Sequence, residues 1–116
     1  MHEGAIVHSL LDIAQEIKEK ENLKEISRIK IVVGKFHQIV EEVMMTQYNF
    51  MKLEYTGFEN SELLMQMVDV KAKCNDCNHE FAIDEPIFLC PKCESMNTDI
   101  VSGKELLIET MEGTQT

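Results

Sequence analysis

Four cysteines stand in two pairs of identical spacing, Cys74-x-x-Cys77 and Cys90-x-x-Cys93, with twelve residues between the pairs, and the chain has no other cysteine. Each pair can wrap a short backbone turn around one cation. Together they offer four thiolates in a tetrahedron, the ligand set of a closed structural zinc site. This constrains folding more than any other feature, because residues 72–98 cannot build a core of their own. The apolar residues between the pairs are only Phe81, Ala82, Ile83, Ile87, Phe88 and Leu89. So small a segment stays ordered only if metal binding supplies the missing free energy. A saturated four-thiolate shell has no position left for water or substrate, so the working part of the chain is expected elsewhere.

Tetrahedral sulfur also suits a one-iron electron-transfer centre. The glycine and aromatic surroundings of a rubredoxin-like site are missing here, so zinc is the expected ion. Pro91, inside the second pair, fixes φ and pre-sets that turn. His79, two residues past Cys77, finds the shell already full. It reads as a surface residue or as one that donates to a cysteine sulfur or a backbone carbonyl. The doubled spacing and a start without a basic, apolar leader disfavour two disulfides and point to a reducing compartment, the cytoplasm.

At 116 residues the chain suits one domain carrying a small metal-held insert. Its 44% apolar content is enough for one modest core. No stretch approaches the roughly 20 apolar residues of a membrane span. With 11 basic and 21 acidic residues the formal charge is −10, which repels phosphate backbones and argues against nucleic-acid partners.

Residues 5–20 read as an amphipathic helix, with Ala5, Ile6, Leu10, Ile13, Ala14 and Ile17 at helical spacing and Asn22 placed to end it. Residues 28–33 read as a strand broken by Gly34, residues 39–53 as a second helix, and residues 63–70 as a second strand. Residues 104–109 read as a last strand that returns to the first domain. The cysteine segment is then an insertion: residues 1–71 and 99–116 make one domain and residues 72–98 the other. Residues 112–116 are expected to fray.

The other chemistry-bearing feature is the start, Met1-His2-Glu3. A free α-amine has a pKa of roughly 7.7–8.0, so a metal can displace its proton near neutral pH. The amine, the His2 backbone nitrogen and the His2 imidazole can chelate one ion in fused rings. The Glu3 backbone nitrogen or carboxylate can complete a plane, the arrangement preferred by Ni(II) and Cu(II). His8 lies among apolar helix residues and reads as a packed or partly exposed side chain. His37 reads as a loop residue, open as an auxiliary ligand. Glu41 and Glu42 suit the start of a helix dipole. Met44, Met51, Met65 and Met67 read as packing rather than copper ligands. No nucleophile triad, phosphate loop or paired-carboxylate site occurs, so no enzyme is expected.

Taken in order, Met1-His2-Glu3 opening a helix, Gly34 after a strand, Cys74-x-x-Cys77 followed by His79 and Phe81, Cys90-Pro-Lys-Cys93-x-Ser95, and Gly103-Lys104-Glu105-Leu106 into a final strand resemble the HypA family. These are nickel metallochaperones of [NiFe]-hydrogenase maturation, and the resemblance spans essentially the whole chain. It implies an α+β fold of two helices on a small three-stranded sheet, with an inserted four-cysteine zinc ribbon. It implies nickel as transferred cargo held by Met1, His2 and Glu3, and structural zinc held by Cys74, Cys77, Cys90 and Cys93. The implied partners are a nickel-maturation GTPase of the HypB type and the precursor of the hydrogenase large subunit; in some bacteria the family also serves urease. Gly4 and Ala5 replace a larger residue and Ser. Val40 stands where some members place an acidic residue near the nickel, which removes that auxiliary carboxylate. The rival reading is a zinc-ribbon protein-interaction module without nickel transfer.

Overall fold

The computed structural model of the chain describes residues 3–83 and 87–115. Helix α1 runs Glu3–Lys20 and buries Glu3, Val7, Leu10, Leu11 and Ala14. The buried stripe is rotated from the expected one: Ala5 is exposed, and Ile13 keeps 51% of its surface in water. Two apolar stripes overlap at Leu10 and Ala14 in this helix. Both have helical spacing, so periodicity cannot choose between them, and packing selects the Val7–Leu11–Ala14 side. The helix ends as expected. Asn22 takes a left-handed φ of 56°, and the N–H groups of Glu21 and Asn22 donate to the carbonyls of Ile17 and Glu19.

Strand β1, Leu23–Gly34, starts five residues before the run expected at 28–33; over those five residues Lys24, Glu25 and Ser27 interrupt the apolar pattern. It is the middle strand of a sheet ordered β2-β1-β6, where β2 is Glu62–Val68 and β6 is Leu106–Gln115. Ile26, Ile29, Ile31 and Val33 are its buried side chains. Helix α2, Glu41–Met51, packs against α1, buries Met44 and Tyr48, and continues into a short 3-10 turn, Lys52–Glu54. Met51, Met65 and Met67 are half-buried, so of the four methionines expected in the core only Met44 is fully enclosed.

The fraying expected at residues 112–116 is corrected as far as Gln115. These residues extend β6, with the Ser27 hydroxyl donating to the Glu112 carbonyl at 3.1 Å and Arg28 Nη1 lying 3.4 Å from the Glu112 carboxylate. Glu112, Thr114 and Gln115 are polar and exposed, so hydrophobic pattern could not reveal them. Backbone pairing makes the strand.

The chain forms two compact units: one of Met1–Ile31, Gln38–Gln66 and Leu107–Thr116, the other of Val32–His37 and Met67–Leu106. In the first, Val7, Leu10, Leu11, Ile26, Ile29, Met44, Tyr48, Phe58 and Leu63 are among the core residues. The Tyr48 hydroxyl donates to Ser61 Oγ at 2.5 Å, and the Ser61 hydroxyl donates in turn to the Phe58 carbonyl at 2.6 Å. The buried hydroxyls are thereby satisfied within the core.

In the second unit, β3 (Lys71–Cys74) is flanked antiparallel by β4 (Glu80–Ala82) and β5 (Thr98–Ser102). Gly34 and Gly103 bring two backbones together: a Cβ on Gly34 would lie 1.8 Å from the Gly103 carbonyl oxygen. The Gly34 N–H donates to Glu105 O at 2.7 Å and the Phe36 N–H to Gly103 O at 3.0 Å. Gly103 itself has φ +104°, and a side chain there would strike Val70. Among the described residues no helix is long and apolar enough to cross a membrane. Gly34→Ala is expected to lower unfolding stability by about 1–3 kcal/mol, because backbone rather than a movable side chain must give way; a denaturant titration measures it.

Candidate metal centres

Each cysteine pair folds the same way, residue for residue. The N–H of the residue after each second cysteine donates to the first cysteine's carbonyl: Asn78 to Cys74 O at 2.9 Å, and Glu94 to Cys90 O at 2.8 Å. The first cysteine's own N–H donates to the residue five positions on, Cys74 to His79 O at 2.9 Å and Cys90 to Ser95 O at 3.0 Å. Asn78 and Glu94 both take positive φ, 62° and 60°, which curls each chain back on itself. Asparagine tolerates that conformation; glutamate does so at a cost, which the closed turn offsets.

The two turns aim four sulfurs at one point. All four Sγ atoms lie within 4.8 Å of one another, with Cys74 and Cys93 at 3.5 Å and Cys77 and Cys90 at 3.6 Å. These are free thiols rather than disulfides, whose sulfurs would sit about 2.05 Å apart. A tetrahedral ion with metal–sulfur bonds of about 2.3 Å has edges of about 3.8 Å. The spacing therefore fits one metal ion, with every coordination position filled by sulfur. Cys74 and Cys90 are buried, Cys77 is half-buried and Cys93 exposed, so the cluster opens toward solvent on one side.

Backbone N–H groups point at the sulfurs in the same repeated pattern. Burial raises the Cys74 and Cys90 thiols first. Donation from Cys77 and Asp76 to Cys74, and from Cys93 and Lys92 to Cys90, outweighs it, so both fall below the ordinary thiol range, Cys90 to about 7. For the second members, donation from His79 to Cys77 and from Ser95 to Cys93 acts downward first. Burial and the neighbouring thiols overcome it and push both up, Cys93 to about 12. Four thiolates this close cannot all ionise without a cation among them.

Side chains brace the pair of turns. The Ser95 hydroxyl donates to the Asp76 carboxylate across them, and the Asn97 N–H donates to Ser95 Oγ at 3.0 Å. Asn75 Nδ2 donates to Asn97 Oδ1 at 3.2 Å and to Asp99 Oδ2 at 3.0 Å. Reading the sequence missed this bracing, and no spacing rule marks it. The His79 ring stacks on Phe81 with centroids 6.1 Å apart. Its backbone, not its imidazole, supports the sulfurs.

At the other candidate centre, Met1 and His2 lie outside the described residues. Glu3 is 5% exposed, and its Oε2 accepts the Val40 N–H at 3.0 Å. Val40 is the N-cap of α2 and offers no side-chain cap of its own, so the carboxylate also sits at the positive end of that helix. His37 lies in a 3-10 turn, Lys35–His37, where its Nε2–H donates to the Lys104 carbonyl at 2.8 Å. That nitrogen is a donor and not a free ligand. Glu41 and Glu42 occupy the first turn of α2, as expected.

Comparison with known proteins follows from these features. The family model described as hydrogenase/urease nickel incorporation metallochaperone, HypA, matches residues 1–113. The hydrogenase maturation factor HypA of Aquifex aeolicus is 33% identical over 112 residues, covering 97% of this chain and 96% of that protein. The hydrogenase maturation factor HypA of Moorella thermoacetica is 34% identical over 113 residues, covering 97% and 99%. The solution structure of the Ni metallochaperone HypA from Helicobacter pylori superposes with a TM-score of 0.72 at 23% identity over 98% of each chain, a likeness of fold.

Metal binding at the cysteines must release protons, because Cys77 and Cys93 hold theirs when no ion is present. Affinity should therefore rise with pH and fall as pH drops. Competition with a chromophoric chelator between pH 5 and 8, on the order of the range where protein metal sites exchange protons, measures the slope.

Proposed function

Since the chain belongs to the HypA family, whose members are metallochaperones rather than enzymes, we propose that it carries Ni(II) on its first three residues and hands the ion on during [NiFe]-hydrogenase maturation. The α-amine, the His2 backbone nitrogen and the His2 imidazole supply three nitrogens in fused chelate rings. The Glu3 backbone nitrogen completes the square plane that Ni(II) prefers. The carboxylate of Glu3 is the less suitable fourth ligand, because it is buried and engaged with the Val40 N–H.

That contact is the observation that best supports the reading. It anchors the first turn of α1 at the residue next to the chelate, so the ligands hang from a fixed point while remaining exchangeable. Release then proceeds by replacing one nitrogen at a time with a ligand of the acceptor. Protonation of amine and imidazole makes the grip weaker as pH falls.

Zinc is the proposed ion of Cys74, Cys77, Cys90 and Cys93. It is redox-inert, indifferent to d-electron geometry and content with four thiolates, which suits a permanent structural role. In this reading residues 72–98 are the zinc ribbon and residues 1–71 with 99–116 carry the nickel. The proposed partners are a nickel-maturation GTPase of the HypB type and the precursor of the hydrogenase large subunit, with urease as a second recipient system. The proposed compartment is the cytoplasm, where thiolates stay reduced.

The test is nickel titration of the untagged protein. His2→Ala should lose tight nickel binding with zinc content and helicity unchanged, and a residual extension before Met1 should do the same by removing the free amine. Tight binding that survives the extension would rule out the terminal chelate.

A further inference from the structure

Helix α1 carries a second group of potential ligands that neither centre uses. His8 and Asp12 stand four residues apart, which places both on one face of the helix. His8 Nδ1 and Asp12 Oδ2 are 3.3 Å apart, with side chains 62% and 54% exposed. Asp12 is held from the other side: the Tyr55 hydroxyl donates to its Oδ1 at 2.7 Å. From this arrangement we propose that His8 and Asp12 form an exposed chelate for a divalent transition-metal ion, with Tyr55 as its positioning residue. The proposal stands independently of the terminal chelate.

The distances also fit chelation. A charge-assisted N–H···O bond is usually about 2.7–2.9 Å, shorter than the separation here. Adjacent ligand atoms with bonds of about 2.0–2.1 Å lie about 2.9 Å apart at a right angle and about 3.4 Å apart in a tetrahedron. The observed 3.3 Å falls inside that range. Tyr55 takes up Oδ1 and so turns Oδ2, the oxygen facing His8, toward the ion.

Tyr55 is itself fixed. It is 9% exposed, its ring meets Phe58 edge-on at 6.2 Å, and its N–H donates to Lys52 O at 3.0 Å. Burial, then the Asp12 carboxylate and Glu54, push the phenol up to about 12, so it remains a proton donor to Asp12. A carboxylate ligand oriented by a hydrogen bond behind it is the usual construction of a tuned metal site. One imidazole nitrogen with one carboxylate oxygen selects Ni(II), Cu(II) or Zn(II) over Mg(II) and Ca(II), which want oxygen alone. Water completes the shell, so the ion exchanges freely. Glu3 and His8 are five residues apart, about 140° around the helix, so this face does not extend the terminal site.

The experiment uses the full-length, zinc-loaded protein carrying His2→Ala, titrated with Ni(II) alone. Calorimetry counts the sites and NMR follows the histidine ring signals. One weaker class of site should remain, with the His8 ring broadened selectively and the His37 ring unaffected. Adding His8→Ala should abolish that class. Asp12→Asn should weaken it at least tenfold, and Tyr55→Phe about tenfold, the usual loss when an outer hydrogen-bond partner is removed. Mg(II) should leave the His8 signals in place. Unchanged residual binding in His8→Ala, or in Asp12→Asn, overturns the chelate, as does nickel binding that never touches the His8 ring. Tight binding that persists in His2→Ala would count against the terminal chelate alone, and the His8 and Asp12 variants would still be read on the weaker class.

Discussion

Four sulfurs held within one ion's reach are the constraint on which the second unit depends. β3 ends at Cys74, and β5 begins opposite it, with Cys74 paired to Thr98. The same turns that present the sulfurs also supply N–H groups to stabilise their negative charge. A unit with so few large buried side chains gains little from apolar burial, and ligation of an ion would take the place of a core. A cation there would also resolve the conflict among neighbouring thiols, two of which are shifted down and two up without it. Bracing through Ser95, Asp76 and Asn97 holds the two turns in fixed relation, which suits an ion that stays.

The first unit works on a different principle. Its stability comes from a conventional apolar core around Leu11, Ile29, Met44, Tyr48 and Phe58, with the buried hydroxyls paired off among themselves. Such a unit can leave metal ligands at its edge, where exchange is easy. The proposed nickel chelate at the chain's start and the proposed His8–Asp12 site on α1 both have this character. On this proposal, saturated sulfur ligation would serve retention and open nitrogen ligation transfer.

Much of the fold was legible in the sequence, and the gaps have identifiable physical causes. The helix over α1 was visible, but the buried side was not, since Ile6-Leu10-Ile13-Ile17 and Val7-Leu10-Leu11-Ala14 are equally good helical stripes. β1 was visible only where its residues alternate; in its polar first half the Ile26 N–H donates to the Gly57 carbonyl at 2.8 Å, a backbone bond that leaves no mark in the apolar pattern. The end of β6 was hidden for the same reason, as Glu112, Thr114 and Gln115 expose polar side chains while the backbone is occupied. Patterns of apolar residues report burial, and these segments owe their structure to hydrogen bonding instead.

The sequence by itself determined the ligand set of the cysteine centre, because spacing within a turn dictates where two sulfurs can point. It also determined the two helices. Only the tertiary structure decided that the Glu3 carboxylate meets the Val40 N–H, and that Tyr55 reaches Asp12. Those partners are 37 and 43 residues apart. A contact of that separation leaves no periodic trace in the chain, because it is set by how whole elements pack and not by the local conformation of either residue.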